Sequence, residues 1–440
     1  MADRILRSMT DLHALSATEA AQRIAAGSLS AEKLTRALLD HIERREGTVG
    51  AFEHLDPEQA LATARAVDRG DTMGPLRGVP IAVKDLMDTA DMPTTYGSPI
   101  YRGWRPSADA AVVALARAAG AVVIGKTVTT EFATFHPGRT TNPHDVRHTP
   151  GGSSSGSAAA VAAAMVPLAM GTQTAGSVIR PAAFCGVVGY KPSFGMIPRA
   201  GTKPVAESLD TIGVFARNVA DAALFASVLT GRPELLGRAA PARRGRGNVD
   251  LALCLTHQWT MAAAETRALF ERLPEMLAPG GVTPSPVEAP AEHRPLFAAQ
   301  AAIMGREAAA ALAWERMTHP AQLSPELRDL LTAGAAVTPA AYDRARRQAR
   351  EARQALPAFF GAHVAVIVPA ALGEAPEGLA RTGDPAFSRV WTLLGVPCVT
   401  LPAGTGPHGL PLGIQLVGRM GDDARLLMVA ALIERAFALA

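Results

Sequence analysis

Apolar positions are spaced in two different ways along this chain. Early on they recur at helical intervals: Leu34, Leu38 and Ile42 fall on one face of a helix opened by Ser30, and Ser16-Ala-Thr-Glu19 has the form of a capping box. Residues 1–73 therefore read as a helical lead-in. From Ile81 onward, short apolar runs alternate with Ala-rich helical stretches. Residues 109–119 predict a helix with Gly120 as its C-cap, and Ala121-Val-Val-Ile124 predicts a buried strand. The pattern turns mostly helical over 257–360, returns to a strand at Val364-Ala-Val-Ile-Val368, and closes with a helix from about Ala424. Strands alternating with helices imply an α/β fold, a sheet that carries helices on both faces. Within it, 74–230 reads as the core, 231–360 as a variable and largely helical region where substrate selectivity is expected, and 361–440 as the return to the sheet.

Composition narrows the function classes. With 440 residues, 48% hydrophobic and 19% charged, the chain can bury a large core. The net charge of +3 comes from arginine, since lysine occurs only at 33, 84, 126, 191 and 203, and both signs are scattered along the chain. Neither a nucleic-acid surface nor a membrane surface is indicated. Cys185, Cys254 and Cys398 are far apart and in apolar stretches, which speaks against disulfides and a Cys-rich metal site. Charges at Asp3, Arg4 and Arg7, and no run of about 18 apolar residues, suggest a soluble cytoplasmic protein, monomeric or homodimeric. The Arg/Pro/Gly-rich stretch 231–247 reads as a surface connection, and the arginines over 343–353 as a solvated helix face.

The chemistry lies in a lysine at a strand end, Ile81-Ala-Val-Lys84-Asp85, followed by Gly151-Gly-Ser-Ser-Ser-Gly-Ser157 and Gly171-Thr-Gln-Thr-Ala-Gly-Ser177. A serine on a glycine-rich turn, a second serine and a lysine supply a nucleophile, a proton carrier and a base without a cofactor or metal. These motifs, together with Pro181-Ala-Ala-Phe-Cys-Gly-Val-Val-Gly-Tyr-Lys-Pro192, Ser208-Leu-Asp210 and Leu410-Pro-Leu-Gly-Ile-Gln-Leu-Val-Gly418, resemble the amidase signature family. The resemblance implies a mixed sheet about eleven strands wide in one large domain. It also implies Ser177 as nucleophile, Ser153 as bridging serine after a cis peptide bond from Gly152, and Lys84 as base. The N–H groups of Thr174, Ala175, Gly176 and Ser177 would form the oxyanion hole. Lys84 can accept a proton only when neutral, and each unit by which burial lowers a lysine pKa costs about 1.4 kcal/mol.

The resemblance further implies hydrolysis of a small, largely uncharged carboxamide, anilide or carbamate, urethanes included. Phe132, Phe135 and Trp391 are candidate pocket residues, although core packing explains them equally well. The motif departs from the common family pattern at Gln173, at Ala175 and at Arg180, which stands three positions after the nucleophile rather than two. That departure bears on substrate preference. One rival reading is the A subunit of a tRNA-dependent amidotransferase, against which Gln173 and the short C-terminal region speak.

Other motifs have alternative readings. Gly120-Ala-Val-Val-Ile-Gly-Lys-Thr127 spells the phosphate-binding loop of a nucleotide-binding protein, but its four middle residues are themselves the best strand candidate. Gly152-Ser-Ser-Ser-Gly156 satisfies a nucleophile elbow centred on Ser154, without a strand before it. Ser30-Ala-Glu-Lys33 is explained by helix capping. His136, His144 and His148 sit among turn residues rather than on a metal-binding helix. Asp210 is placed to buttress the nucleophile turn.

Overall fold

The computed structural model describes residues 12–237 and 250–439. The segment with Asp3, Arg4 and Arg7 and most of 231–247 lie outside them. Three helices lead in. Helix α1 (Ala17–Ala25) is capped by Ser16, whose hydroxyl accepts from Glu19 N at 3.0 Å. Helix α2 (Ala31–Val49) is capped by Ser30 accepting from Lys33 N at 3.1 Å, and it buries Leu34, Leu38 and Ile42 as their spacing predicts. Helix α3 (Pro57–Arg69) follows β1 (Phe52–Leu55).

The sheet then grows through β2 (Pro80–Lys84), helix α4 (Ala111–Ala118), β3 (Val122–Thr127), helix α5 (Ser155–Ala162), β4 (Leu168–Gln173), helix α6 (Ile179–Cys185), β5 (Val188–Lys191) and β6 (Thr211–Ala216). Helix α7 (Val219–Thr230), β7 (Leu251–Leu253), helix α8 (Ala264–Leu277) and the short edge strand β8 (Ser285–Pro286) come next. Four helices, α9 (Leu296–Ala311), α10 (Ala313–Thr318), α11 (Pro325–Ala335) and α12 (Pro339–Phe360), form the helical region. The chain ends with β9 (Ala365–Pro369), helix α13 (Ala386–Leu394), β10 (Cys398–Thr405), β11 (Pro411–Gly418) and helix α14 (Asp423–Phe437).

All eleven strands share one mixed sheet in the order β1-β3-β2-β4-β6-β5-β10-β11-β9-β7-β8, flanked by helices. Strand β2 lies between two parallel neighbours, β3 and β4, with Ile81 opposite Leu168 and Ala82 opposite Ala169. Parallel strands buried on both faces read as continuous apolar runs, which is why Pro80-Ile-Ala-Val carries no polar side chain until Lys84. Ligand sites in such sheets form at the C-terminal strand ends. Lys84 ends β2 and Gln173 ends β4, so both chemical motifs leave the sheet at this end.

Two expected boundaries shift. The helix expected from residue 109 starts at Ala111, because the Asp109 carboxylate is engaged with Ala90 N and Arg117. Strand β3 runs on to Thr127 instead of stopping at Ile124, since β1 pairs along it with His54 opposite Lys126.

Candidate active site

Strand β2 carries Lys84 into the interior, where its side chain is 0% exposed. Its Nζ donates to Ser153 Oγ at 2.7 Å and to Thr172 Oγ1 at 2.7 Å. Burial pushes the ammonium pKa well below that of an ordinary lysine, and the Asp210 carboxylate is the charge that opposes the shift. Ser153 follows a cis peptide bond from Gly152, and Gly151 before it has φ +83°, a left-handed conformation that favours glycine. Ser154 ties this segment to β4, its hydroxyl donating to Thr172 O and accepting from Thr172 N, each at 3.2 Å. Thr172 therefore faces Lys84 with its side chain and Ser154 with its backbone.

Three outside groups hold the turn that bears Ser177 by its carbonyls. Gln300 Nε2 on α9 donates to Thr174 O at 3.0 Å, Thr392 Oγ1 on α13 donates to Ala175 O at 2.7 Å, and Arg180 N donates to Gly176 O at 2.9 Å. In a planar trans peptide the N–H points opposite to the carbonyl of the preceding residue. Anchoring these carbonyls thus turns the N–H groups of Ala175, Gly176 and Ser177 away from the scaffold. Gly176 is needed for another reason: a Cβ there would lie 2.8 Å from Pro385 Cβ and 3.1 Å from Ser388 Cβ. Ser177 is 8% exposed, so its hydroxyl is the accessible end of this buried assembly.

Two of the three departures from the common motif, Gln173 and Arg180, have a local role. Gln173 Oε1 accepts from Val178 N at 2.8 Å and Ile179 N at 3.0 Å, capping α6, while its Nε2 donates to Thr392 Oγ1 at 2.9 Å. An amide can accept and donate at once, which a carboxylate cannot. Arg180 does not pair with an acid. Its Nε donates to Thr382 O at 2.7 Å and its Nη2 to Gly152 O at 2.6 Å, so it links the Ser177 turn to the Ser153 segment; burial pushes its pKa down to about 10. Asp210 accepts from Thr174 Oγ1 at 2.6 Å and from Val205 N and Ala206 N, and burial raises its pKa to about 6 against those bonds.

The Amidase family model matches residues 33–427, which takes in every group described above. The chain belongs to the amidase family. One relative is the A subunit of glutamyl-tRNA(Gln) amidotransferase from Chloroflexus aurantiacus, 36% identical, with 97% of each chain covered. Among solved structures, the native peptide amidase of Stenotrophomonas maltophilia matches with a TM-score of 0.83 and 31% identity over 96% of this chain and 97% of that one. A vestigial protein complex bearing on the origins of an s-triazine catabolic enzyme matches with a TM-score of 0.87 and 29% identity, over 96% and 98%.

This amidase-family protein places the remaining candidate residues as follows. Phe132 is buried edge-on to Tyr101, and Trp391 packs against His293 and Phe359, so both are core side chains. Phe135 is 40% exposed and lines a cavity together with Pro385, the residue that lies against Gly176. The apparent phosphate-binding loop is strand β3, in which Lys126 pairs with Asp85 at 3.0 Å. His144 and His148 contact the carbonyls of Cys185 and Ala375, and His136 pairs with Glu326. Among the described residues, no group of three or more His, Cys, Asp or Glu side chains could hold a metal ion, and no helix is long and apolar enough to cross a membrane. Sequence reasoning missed Thr172, Gln300, Thr382 and Thr392. Only Thr172 carried a signal, since it lies within the Gly171–Ser177 motif on the strand beside β2.

Proposed function

We propose that this protein hydrolyses the C–N bond of small carboxamides, anilides or carbamates through Ser177, Ser153 and Lys84. The observation that carries this reading is a fully buried lysine whose amine meets only hydroxyls, one of them Ser153. Burial without an adjoining carboxylate favours the neutral amine, and a neutral amine can take a proton.

In the proposed reaction Ser177 Oγ attacks the substrate carbonyl carbon and passes its proton to Ser153 Oγ, whose own proton moves to Lys84 Nζ. The carbonyl oxygen gains the negative charge and is held by the outward N–H groups of Ala175, Gly176 and Ser177, with Thr174 as part of the same turn. Collapse breaks the C–N bond while Ser153 hands a proton to the leaving nitrogen and regains one from Lys84. Water then attacks the acyl-serine carbonyl by the same relay, releasing the acid and restoring Ser177. Among the described residues Ser177 Oγ has no hydrogen-bond partner, and the relay contact to Ser153 is expected to tighten with substrate bound, as catalytic contacts commonly do.

The full-length likeness to the A subunit of an amidotransferase favours a second reading, in which amide cleavage supplies nitrogen to a larger assembly. Purified protein offered a panel of amides, anilides and carbamates separates the two: release of amine without partners supports the hydrolase. Undiminished hydrolysis by Lys84→Ala protein would refute the mechanism.

A further inference from the structure

The segment after Thr382 sets charge beside the nucleophile turn. Pro385 and Ser388 press on Gly176, and Gly383 packs on Phe184 and the Arg180 side chain. The adjoining cavity, about 450 Å³, is lined by Phe135, Glu377, Arg381, Asp384, Pro385 and, from the first turn of α13, Arg389. The Arg389 guanidinium stacks 4.7 Å above the Phe297 ring on α9, one turn before the Gln300 that holds Thr174.

Polar atoms here lack partners. Among the described residues, Arg389 Nε, Asp384 Oδ1 and Arg180 Nη1 are all buried without a hydrogen bond. Among the described residues Arg389 also has no carboxylate within ion-pair distance, Asp384 included, although the two lie only five positions apart. A desolvated guanidinium with an unmet donor is costly, and such clusters mark places where something outside the chain supplies the acceptor. Phe297 covers one face of the guanidinium and leaves its edge free, the geometry in which arginine takes a planar oxyanion. On the cavity wall Arg381 and Arg389 are balanced by Glu377 and Asp384, and Arg180, whose side chain packs on Gly383, adds one more cation, which leaves a single positive charge to balance. That sum suits a monoanionic carboxylate better than a phosphate dianion, and the cavity suits a small molecule.

We propose that Arg389 is a specificity-determining residue that binds a carboxylate carried by the substrate. The inference rests on the amidase reading of the site and replaces the expectation of a largely uncharged substrate. Arg389 does not act on the scissile bond; it orients a small ω-carboxy amide so that its carbonyl meets Ser177.

The test compares succinamate with butyramide, which differ by a terminal carboxylate in place of a methyl. Wild-type protein is expected to prefer succinamate. In Arg389→Met the ratio of kcat/KM for succinamate over butyramide should fall about 100-fold, with partial recovery in Arg389→Lys. Equal turnover of both amides by wild type, or an equal fall on both in the variant, overturns the proposal. Binding of succinate to Ser177→Ala protein, followed by calorimetry, needs no chemistry: binding lost on adding Arg389→Met supports the subsite, and binding retained overturns it. Should neither amide be cleaved while succinate binding still depends on Arg389, the hydrolase reading fails and the anion subsite stands. Arg389→Gln, which keeps an N–H donor in place, serves if the Met variant does not fold.

Discussion

The ends of β2 and β3 lie side by side in the sheet, and each buries a lysine completely, Lys84 and Lys126 at 0% exposure. Their surroundings differ. Lys126 meets the Asp85 carboxylate at 3.0 Å and Thr94 Oγ1 at 2.5 Å, whereas Lys84 meets the hydroxyls of Ser153 and Thr172, with Asp210 acting only through its charge. Burial depresses both pKa values, but the carboxylate beside Lys126 works against the shift and holds a charged pair together. The lesson is that burial alone does not make a lysine a base. What matters is whether an anion is in contact with it.

The largest expected effects test that contrast directly. Ser177→Ala and Lys84→Ala should each lower kcat by about 10⁴-fold or more, with circular dichroism unchanged. Lys126→Met should instead damage the fold, because it leaves Asp85 buried without its cation; a loss of about 3 to 5 kcal/mol in urea unfolding is expected. Thr172→Val removes an acceptor that favours the charged form of Lys84; because the proposed reaction needs the neutral amine, activity should rise with pH, and in this variant that rise should move to lower pH while kcat falls about 10-fold. An unmoved pH profile there would leave Thr172 with a packing role only.

The smallest effect has the opposite sign to that of Lys126→Met. The folded-state pKa of Lys84 lies below its unfolded value, so between the two the unfolded chain binds the additional proton, and stability climbs as pH rises toward the ordinary lysine value of 10.5. Lys84→Met removes this penalty. It should stabilise the protein at pH 7, by a margin that closes as the pH nears 10.5. Thermal melts at both pH values check it, and a Lys84→Met effect that is the same at both would overturn the linkage.

Spacing and side-chain chemistry were enough to identify several elements from the sequence alone. The caps Ser16 and Ser30, the apolar face of α2, the buried run of β2 and the helix-to-strand alternation are local, because each depends on residues a turn or two apart. The serines and lysine were also legible, since glycine-rich turns and a lone lysine closing an apolar strand are rare combinations. What the sequence left open was contact. Gln300 reaches Thr174 across 126 positions, Thr392 reaches Ala175 across 217, and Arg180 reaches Thr382 across 202. No periodicity encodes such pairings. Phe132 and Trp391 show the same gap from the other side: aromatic character suited them equally to a pocket or a core, and packing alone put them in the core. The chain's own order of residues thus determined which groups are able to react. The assembled sheet and helices decided which of them are stripped of water, which are denied a counter-ion, and which way the Ser177 turn presents its N–H groups, because those properties belong to neighbours that are distant in sequence.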